Sequence, residues 1–356
     1  MKESLDRVLQ EDLESIAADR NLPLEQMKGK SILVTGATGL VGSMLVKALA
    51  CCNRVHNLQL TILPMVRSVE KAKVVFGELL DREYIHLVVG DILQPVSVEE
   101  SVDYIIHGAS VTTSKTFVTQ PVETLYTALD GTRNLLTLAK EKQVKSMVYL
   151  SSMEAFGIPN PKLESVKEED LGYIDLMSVR SCYSEGKRAC ELLCACYASE
   201  YEVPVKVARL AQTFGAGVSK EEGRVFAQFA KSAMAGQDII LHTAGESTGN
   251  YCYTADAVTG ILTILLKGSN AQVYTVANPS TTIKIRDMAQ MVASHLAEGK
   301  IQVIFDIPED ALTYGYAPDV AMHLNSDKLQ ALGWKPQVDL PQMYERLVAS
   351  FCEQGL

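Results

Sequence analysis

The run Ser31-Ile32-Leu33-Val34-Thr35-Gly36-Ala37-Thr38-Gly39-Leu40-Val41-Gly42 limits what this chain can fold into more than any other stretch. Its first five residues are largely β-branched or aliphatic and read as a short strand, while Leu40 to Ala50 continues as an apolar helix. Between them, glycine recurs at every third position. Glycines there let the backbone approach a pyrophosphate, and the helix N-terminus offers free N–H groups and the positive end of its dipole. Gly36, Thr38, Gly39, Leu40, Val41 and Gly42 are therefore the candidate cradle for a dinucleotide. Alone, such a glycine pattern is weak. With a strand before it, a helix after it and an alternating series to follow, binding is favoured over a plain turn.

That series predicts an α/β fold: a Rossmann-like, doubly wound parallel sheet with a smaller C-terminal α/β lobe. The second strand, Leu58 to Val66, ends without the Asp or Glu that would hold an NAD ribose; Arg67-Ser68 stands there instead. Arg67 can accommodate the 2′-phosphate of NADP or serve as a solvated loop cation. The third strand, Ile85 to Val89, ends in Gly90-Asp91-Ile92, and the fourth, Val102 to Ile106, in His107-Gly108-Ala109-Ser110. Ligands bind outside the carboxyl ends of such strands, so Asp91 and Ile92 are expected near the adenine and Ala109 and Ser110 near the middle of the cofactor.

The fifth strand, Ser146 to Leu150, opens into Ser151-Ser152-Met153-Glu154, polar side chains that are costly at a buried strand end unless they have partners. Ser152 is the candidate hydrogen-bonding hydroxyl and Glu154 a second acid or base. Tyr183 and Lys187 follow at a spacing of four, which puts phenol and ammonium on one helix face as a proton-transfer pair. A neighbouring ammonium favours the phenolate. Thr112, beyond the fourth strand, and Arg209 and Gln212, at the end of the sixth, are candidates for the substrate side. The expected division is a helical extension over residues 1–29, a dinucleotide-binding domain over 30–210 with returning segments near 251–278, and a substrate lobe over most of 211–356.

The formal charge of −10 argues against nucleic acid as a partner, and the scattered 8 Cys lack the spacing of a zinc site, so no metal is expected. The acidic, amphipathic N-terminal stretch is no secretory signal, and no apolar run reaches the length of a membrane span, so a cytoplasmic protein is expected. In that first stretch Leu5, Val8, Leu9, Leu13, Ile16 and Ala17 form a stripe that must pack on the main domain or on another subunit.

GATGLVG after the first strand, SSMEAFG after the fifth, YSEGK on the next helix, the Arg209 strand, YTAD at 253–256 and LGW near 333 resemble, in this order, the extended short-chain dehydrogenase/reductase family. Within it, the chain resembles the nucleotide-sugar epimerases, 4,6-dehydratases and UDP-glucuronate decarboxylases, and RSCYSEGKRACELL is most similar to the decarboxylase group. The resemblance implies NAD as cofactor, a nucleotide-sugar substrate, and a homodimer formed by helices 121–142 and 184–201 as a four-helix bundle. It also implies that Tyr183 takes the proton of a sugar 4-hydroxyl, that Lys187 holds the cofactor ribose and lowers the tyrosine pKa, and that Ser152 bonds the same hydroxyl. The 4-keto sugar formed in this way is a branch point for epimerisation, dehydration and decarboxylation. Met153 replaces the dehydratase Asp, Gly249 replaces an expected Arg, and Gln212 stands where Asn is usual. A net NADPH-dependent 4-ketoreductase is the second reading, and a non-catalytic dinucleotide-binding scaffold the third.

Overall fold

In the computed structural model, which describes residues 2–307 and 320–356, the run 31–35 becomes strand β1 (Ser31–Thr35), buried along its whole length. Ile32 and Val34 join one apolar cluster and Leu33 another, because successive side chains of a strand point to opposite faces. Covering both faces takes helices on both sides. Helix α1 (Arg7–Ala18) precedes β1, and after it come α2 (Leu40–His56), β2 (Thr61–Val66), α3 (Val69–Phe76), β3 (Val88–Val89), β4 (Tyr104–His107), α4 (Ser114–Thr119), α5 (Pro121–Glu141), β5 (Ser146–Ser152), α6 (Ser181–Tyr201) and β6 (Val205–Leu210). Further on lie β7 (Gln212–Phe214), α7 (Val225–Ala235), β8 (Ile239–Leu241), β9 (Thr248–Tyr253), α8 (Thr254–Lys267), β10 (Val273–Val276), β11 (Asn278–Lys284), α9 (Ile285–His295), β12 (Val303–Phe305), α10 (Asp327–Gln330) and α11 (Leu340–Glu353).

Seven parallel strands form the main sheet in the order β3-β2-β1-β4-β5-β6-β10. The order reverses between β1 and β4, which opens the crevice that a doubly wound sheet offers to ligands. Thr35 is level with Met65 of β2 and His107 of β4, so the three strand ends form one rim. Helices α2 and α8 share a core with Ile32 and Val34, whereas α5 and α6 share one with Leu33. A second body joins the sheet β11-β9-β7, the parallel pair β8 and β12, and helices α7, α9 and α11 around Phe214, Phe226, Tyr251, Tyr253 and Tyr344. After β7, α8 and β10 return to the large sheet, and Leu329 of α10 and Trp334 join the same core; the Tyr251–Tyr253 strand pairs in the small sheet. No helix among the described residues is long and apolar enough to cross a membrane.

The N-terminal stripe is satisfied within the chain except for Leu5, which lies ahead of α1 and is fully exposed. Val8, Leu9, Leu13, Ile16 and Ala17 are buried, and α1 packs on α2, α8 and α11. Asp6 caps the helix by accepting from the Leu9 amide at 3.0 Å. On the buried side, the Tyr253 hydroxyl donates to Asp12 at 2.6 Å and accepts from Arg346 Nε at 2.9 Å, while Arg346 Nη2 donates to Asp12 at 2.7 Å. One phenol thus ties the added helix, the small sheet and the last helix together. Replacing Tyr253 with Phe removes a hydrogen bond to each of two charged groups and should cost about 2 kcal/mol. Urea unfolding should show the midpoint falling at unchanged m-value; an unmoved midpoint would refute the tie.

The YTAD and LGW motifs also meet. The Asp256 carboxylate accepts from the Gln337 and Val338 amides at 3.0 and 3.1 Å, and the Trp334 indole N–H donates to the Asp256 carbonyl at 3.0 Å. These two stretches are structural fasteners between α8 and the C-terminal segment.

Candidate active site

The glycine turn has no room for side chains at two of its three glycines. Gly36 has φ +68°, and a Cβ on it would stand 2.8 Å from the Gly108 and Ala109 backbone at the end of β4. A Cβ on Gly42 would stand 2.2 Å from the Gly36 carbonyl oxygen. The turn is therefore bare backbone pressed between β4 and the first turn of α2, with Gly39 as the N-cap of that helix. Leu40 packs toward the lobe cluster and Val41 toward the sheet cluster, so this turn lies where the two bodies meet. Thr38 is half-buried within it.

Behind the turn, Thr35 Oγ1 accepts from the Ala109 amide at 3.2 Å and bonds His107 Nδ1 at 2.7 Å, while His107 Nε2 lies 3.3 Å from Thr132 Oγ1. Complete burial, with the Lys187 charge adding to it, pushes His107 down to about 3, so the ring is neutral and serves as a spacer. Ser110 donates to the neighbouring Val111 carbonyl, and Thr112 is exposed. At the β3 end, the Asp91 carboxylate accepts from the Leu93 amide at 3.0 Å, and Ile92 is buried against α5, where a Cβ on Gly131 would come within 2.5 Å of it. Arg67 is exposed one residue beyond β2.

The end of β5 and the first turns of α6 bring the other candidates together. Ser152 accepts from the Glu154 amide at 3.2 Å, and its hydroxyl is near enough to the Tyr183 phenol to pull its pKa down. Tyr183 lies flat on Phe117 of α4, with centroids 4.4 Å apart and planes 12° apart. Burial pushes the phenol up to about 12, against the opposing pull of Ser152. Lys187 is 4% exposed and donates to the Leu150 carbonyl at 2.8 Å, with its ammonium 5.7 Å from the Tyr183 ring centre. Burial lowers this ammonium to about 8. In the chain alone the ammonium is engaged by a carbonyl, and desolvation dominates the phenol.

Glu154 is partly exposed but not free. It accepts from Arg180 Nη1 and from Ser184 Oγ, both at 3.1 Å, so a cation and a hydroxyl flanking Tyr183 in sequence hold it. Arg180 and Ser184 were within reach of a sequence reading, since both belong to the RSCYSEGK run. Phe117 left no such signal.

Arg209 is where the structure departs most from expectation. It was assigned to the substrate side, yet it is 3% exposed and its guanidinium is fully engaged. Nε and Nη2 grip the Glu191 carboxylate at 3.0 and 2.6 Å, Nη1 donates to the Glu168 carbonyl at 2.7 Å, and Ser151 Oγ donates to Glu191 at 2.5 Å. A cation on a strand inside the sheet must be neutralised by the helix covering it, and Glu191 of α6 does so. Gln212, at the head of β7, is exposed.

The chain matches the NAD-dependent epimerase/dehydratase family over residues 32–277. It is 29% identical over 332 residues to UDP-glucuronic acid decarboxylase 1 of Danio rerio, covering 93% of this chain and 75% of that protein. UDP-glucuronic acid decarboxylase 6 of Arabidopsis thaliana is 28% identical over 312 residues, covering 87% and 85%. Among solved structures, UDP-glucuronic acid 4-epimerase from Bacillus cereus, in complex with UDP-glucuronic acid and NAD, superposes with a TM-score of 0.73 at 20% identity, over 91% of this chain and 99% of that one.

Proposed function

The chain belongs to the NAD-dependent epimerase/dehydratase family, and from that premise we propose that it acts at C4 of a nucleotide-activated sugar through a 4-keto intermediate. The observation that carries this reading is the gathering of Ser152, Tyr183 and Lys187 at the end of β5, on the same rim as the bare glycine turn. Gly36 to Gly42 would hold the pyrophosphate of the dinucleotide, and Lys187 its ribose. When bound, the dinucleotide would supply the hydride acceptor, and its oxidised, cationic ring would favour the phenolate. Tyr183 withdraws the 4-hydroxyl proton, Ser152 orients that hydroxyl, and Phe117 keeps the phenol in one plane. Glu154, held by Arg180 and Ser184, is the second acid or base acting on the keto sugar.

The segment after β6, apart from α8 and β10, supplies the sugar-nucleotide side in this reading. Gly249 faces open space where an anion-holding Arg was expected. With Met153, it supports a net 4-ketoreductase as the second reading, since neither residue can assist elimination or hold a sugar carboxylate. We place the protein in the cytoplasm as a homodimer through α5 and α6, where Val122, Tyr126 and Leu192 are 58%, 59% and 67% exposed. A thermal-shift panel of UDP-, dTDP-, CDP- and GDP-sugars, with products followed by mass spectrometry, tests the proposal. One nucleotide class should raise the melting temperature and be converted. If no sugar nucleotide either stabilises the protein or reacts, the reading fails.

A further inference from the structure

We infer that Arg67 binds the 2′-phosphate of the adenosine ribose, so that this chain selects NADP(H) over NAD(H); the inference rests on the dinucleotide site proposed above. Register places the residue. Thr35 is level with Met65 at the ends of two adjacent paired strands, so the glycine turn that follows Thr35 and Arg67, two residues after Met65, leave the sheet at neighbouring places on the same rim. On the other flank, Val66 is level with Val89, and the Gly90 amide donates to the Val66 carbonyl at 3.0 Å. Arg67 therefore has a glycine on one side and a glycine turn on the other, in the stretch of the rim where the adenosine end of a dinucleotide would lie.

The local charges favour an anion. A site for the unphosphorylated ribose places a carboxylate here to accept from its hydroxyls, and that carboxylate would repel a phosphate. Residues 58–69 contain no Asp or Glu. The first acid beyond them, Glu70, is paired with Lys73 at 3.1 Å, and Asp91 turns its oxygen to its own loop at the Leu93 amide. Arg67 is exposed and has no carboxylate partner among the described residues; Lys71, in the first turn of α3, is likewise exposed and unpaired. A planar guanidinium that is not already committed is suited to forked bonding of phosphate oxygens. Ser68 beside it caps α3 by accepting from the Lys71 amide, which fixes the chain direction just after the arginine.

Calorimetric titration of the purified full-length protein with NADP+ and with NAD+ tests this, using Arg67→Ala as the variant. NADP+ should bind more tightly than NAD+, and Arg67→Ala should weaken NADP+ by roughly 10- to 100-fold while leaving NAD+ unchanged. Arg67→Lys should recover part of the loss. Equal or tighter binding of NAD+ by the wild type overturns the inference, as does an NADP+ preference that survives Arg67→Ala; both leave the dinucleotide site itself standing. Failure of both dinucleotides to bind removes that site, and the inference with it. Because Arg67 is exposed and unpaired, its replacement leaves the core intact.

Discussion

Tyr183→Phe should lower turnover by roughly 10²- to 10⁴-fold, the range that a positioned acid or base contributes, while leaving dinucleotide affinity and stability close to wild type. The substitution deletes a single oxygen. Its ring would keep the stack on Phe117, and α6 contributes its buried face through Ser184, Gly186, Lys187, Cys190 and Cys194. What is lost is the atom that must accept the substrate proton. Burial has raised the phenol to about 12, so in the chain alone it is protonated at neutral pH, with Ser152 and the Arg224 and Arg180 charges pulling the other way. Steady-state rates on whichever sugar nucleotide the stability panel selects, compared with cofactor titrations of the same preparations, give the result. A turnover within threefold of wild type would refute the assignment and favour a dinucleotide-binding scaffold without chemistry.

The second large effect is on folding. Arg209→Leu strands the Glu191 carboxylate, whose side chain is 9% exposed, against Ser151 and without a cation. Removing one partner of a buried pair costs about 3–5 kcal/mol, which is a large part of the total stability of a typical domain. It also releases the Glu168 carbonyl and the packing of the guanidinium over Phe156, whose ring centre lies 4.6 Å away. Chemical denaturation is the direct measurement. The alternative role, contact with substrate, makes the opposite prediction: a raised KM in a protein of ordinary stability. An Arg209 variant that unfolds at the wild-type midpoint would restore the substrate assignment.

The cofactor end of the site was legible because its chemistry is local. Gly36, Gly39 and Gly42 act through their own backbone, and their meaning depends only on having a strand before them and a helix after them. The same holds for Tyr183 and Lys187, which one helix places on one face. Arg209 was misread because a strand cation looks the same in sequence whether it faces a ligand or a partner on a covering helix. Glu191 is 18 residues distant, and nothing in its neighbourhood marks it as the partner. Phe117 was missed for a similar reason: α4 is a short helix of mixed polarity, and its aromatic side chain acquires a role only once α6 is laid against it.

The N-terminal extension shows the same division. Its stripe of Leu5, Val8, Leu9, Leu13, Ile16 and Ala17 announced a buried face, which all but Leu5 form, but left its partner open between the main domain and another subunit. Tertiary contacts placed that face on α2, α8 and α11 and brought Asp12 to Tyr253 and Arg346. Periodicity and backbone-borne motifs, whose causes lie within a few residues, were enough to reveal the doubly wound sheet, the glycine cradle and the proton-transfer pair. Which charges neutralise one another, and hence which remain available to a ligand, depends on side chains that meet only when separate elements pack together. For that reason the engagement of Arg209, the restraint of Glu154 and the freedom of Arg67 emerged only from the packed fold.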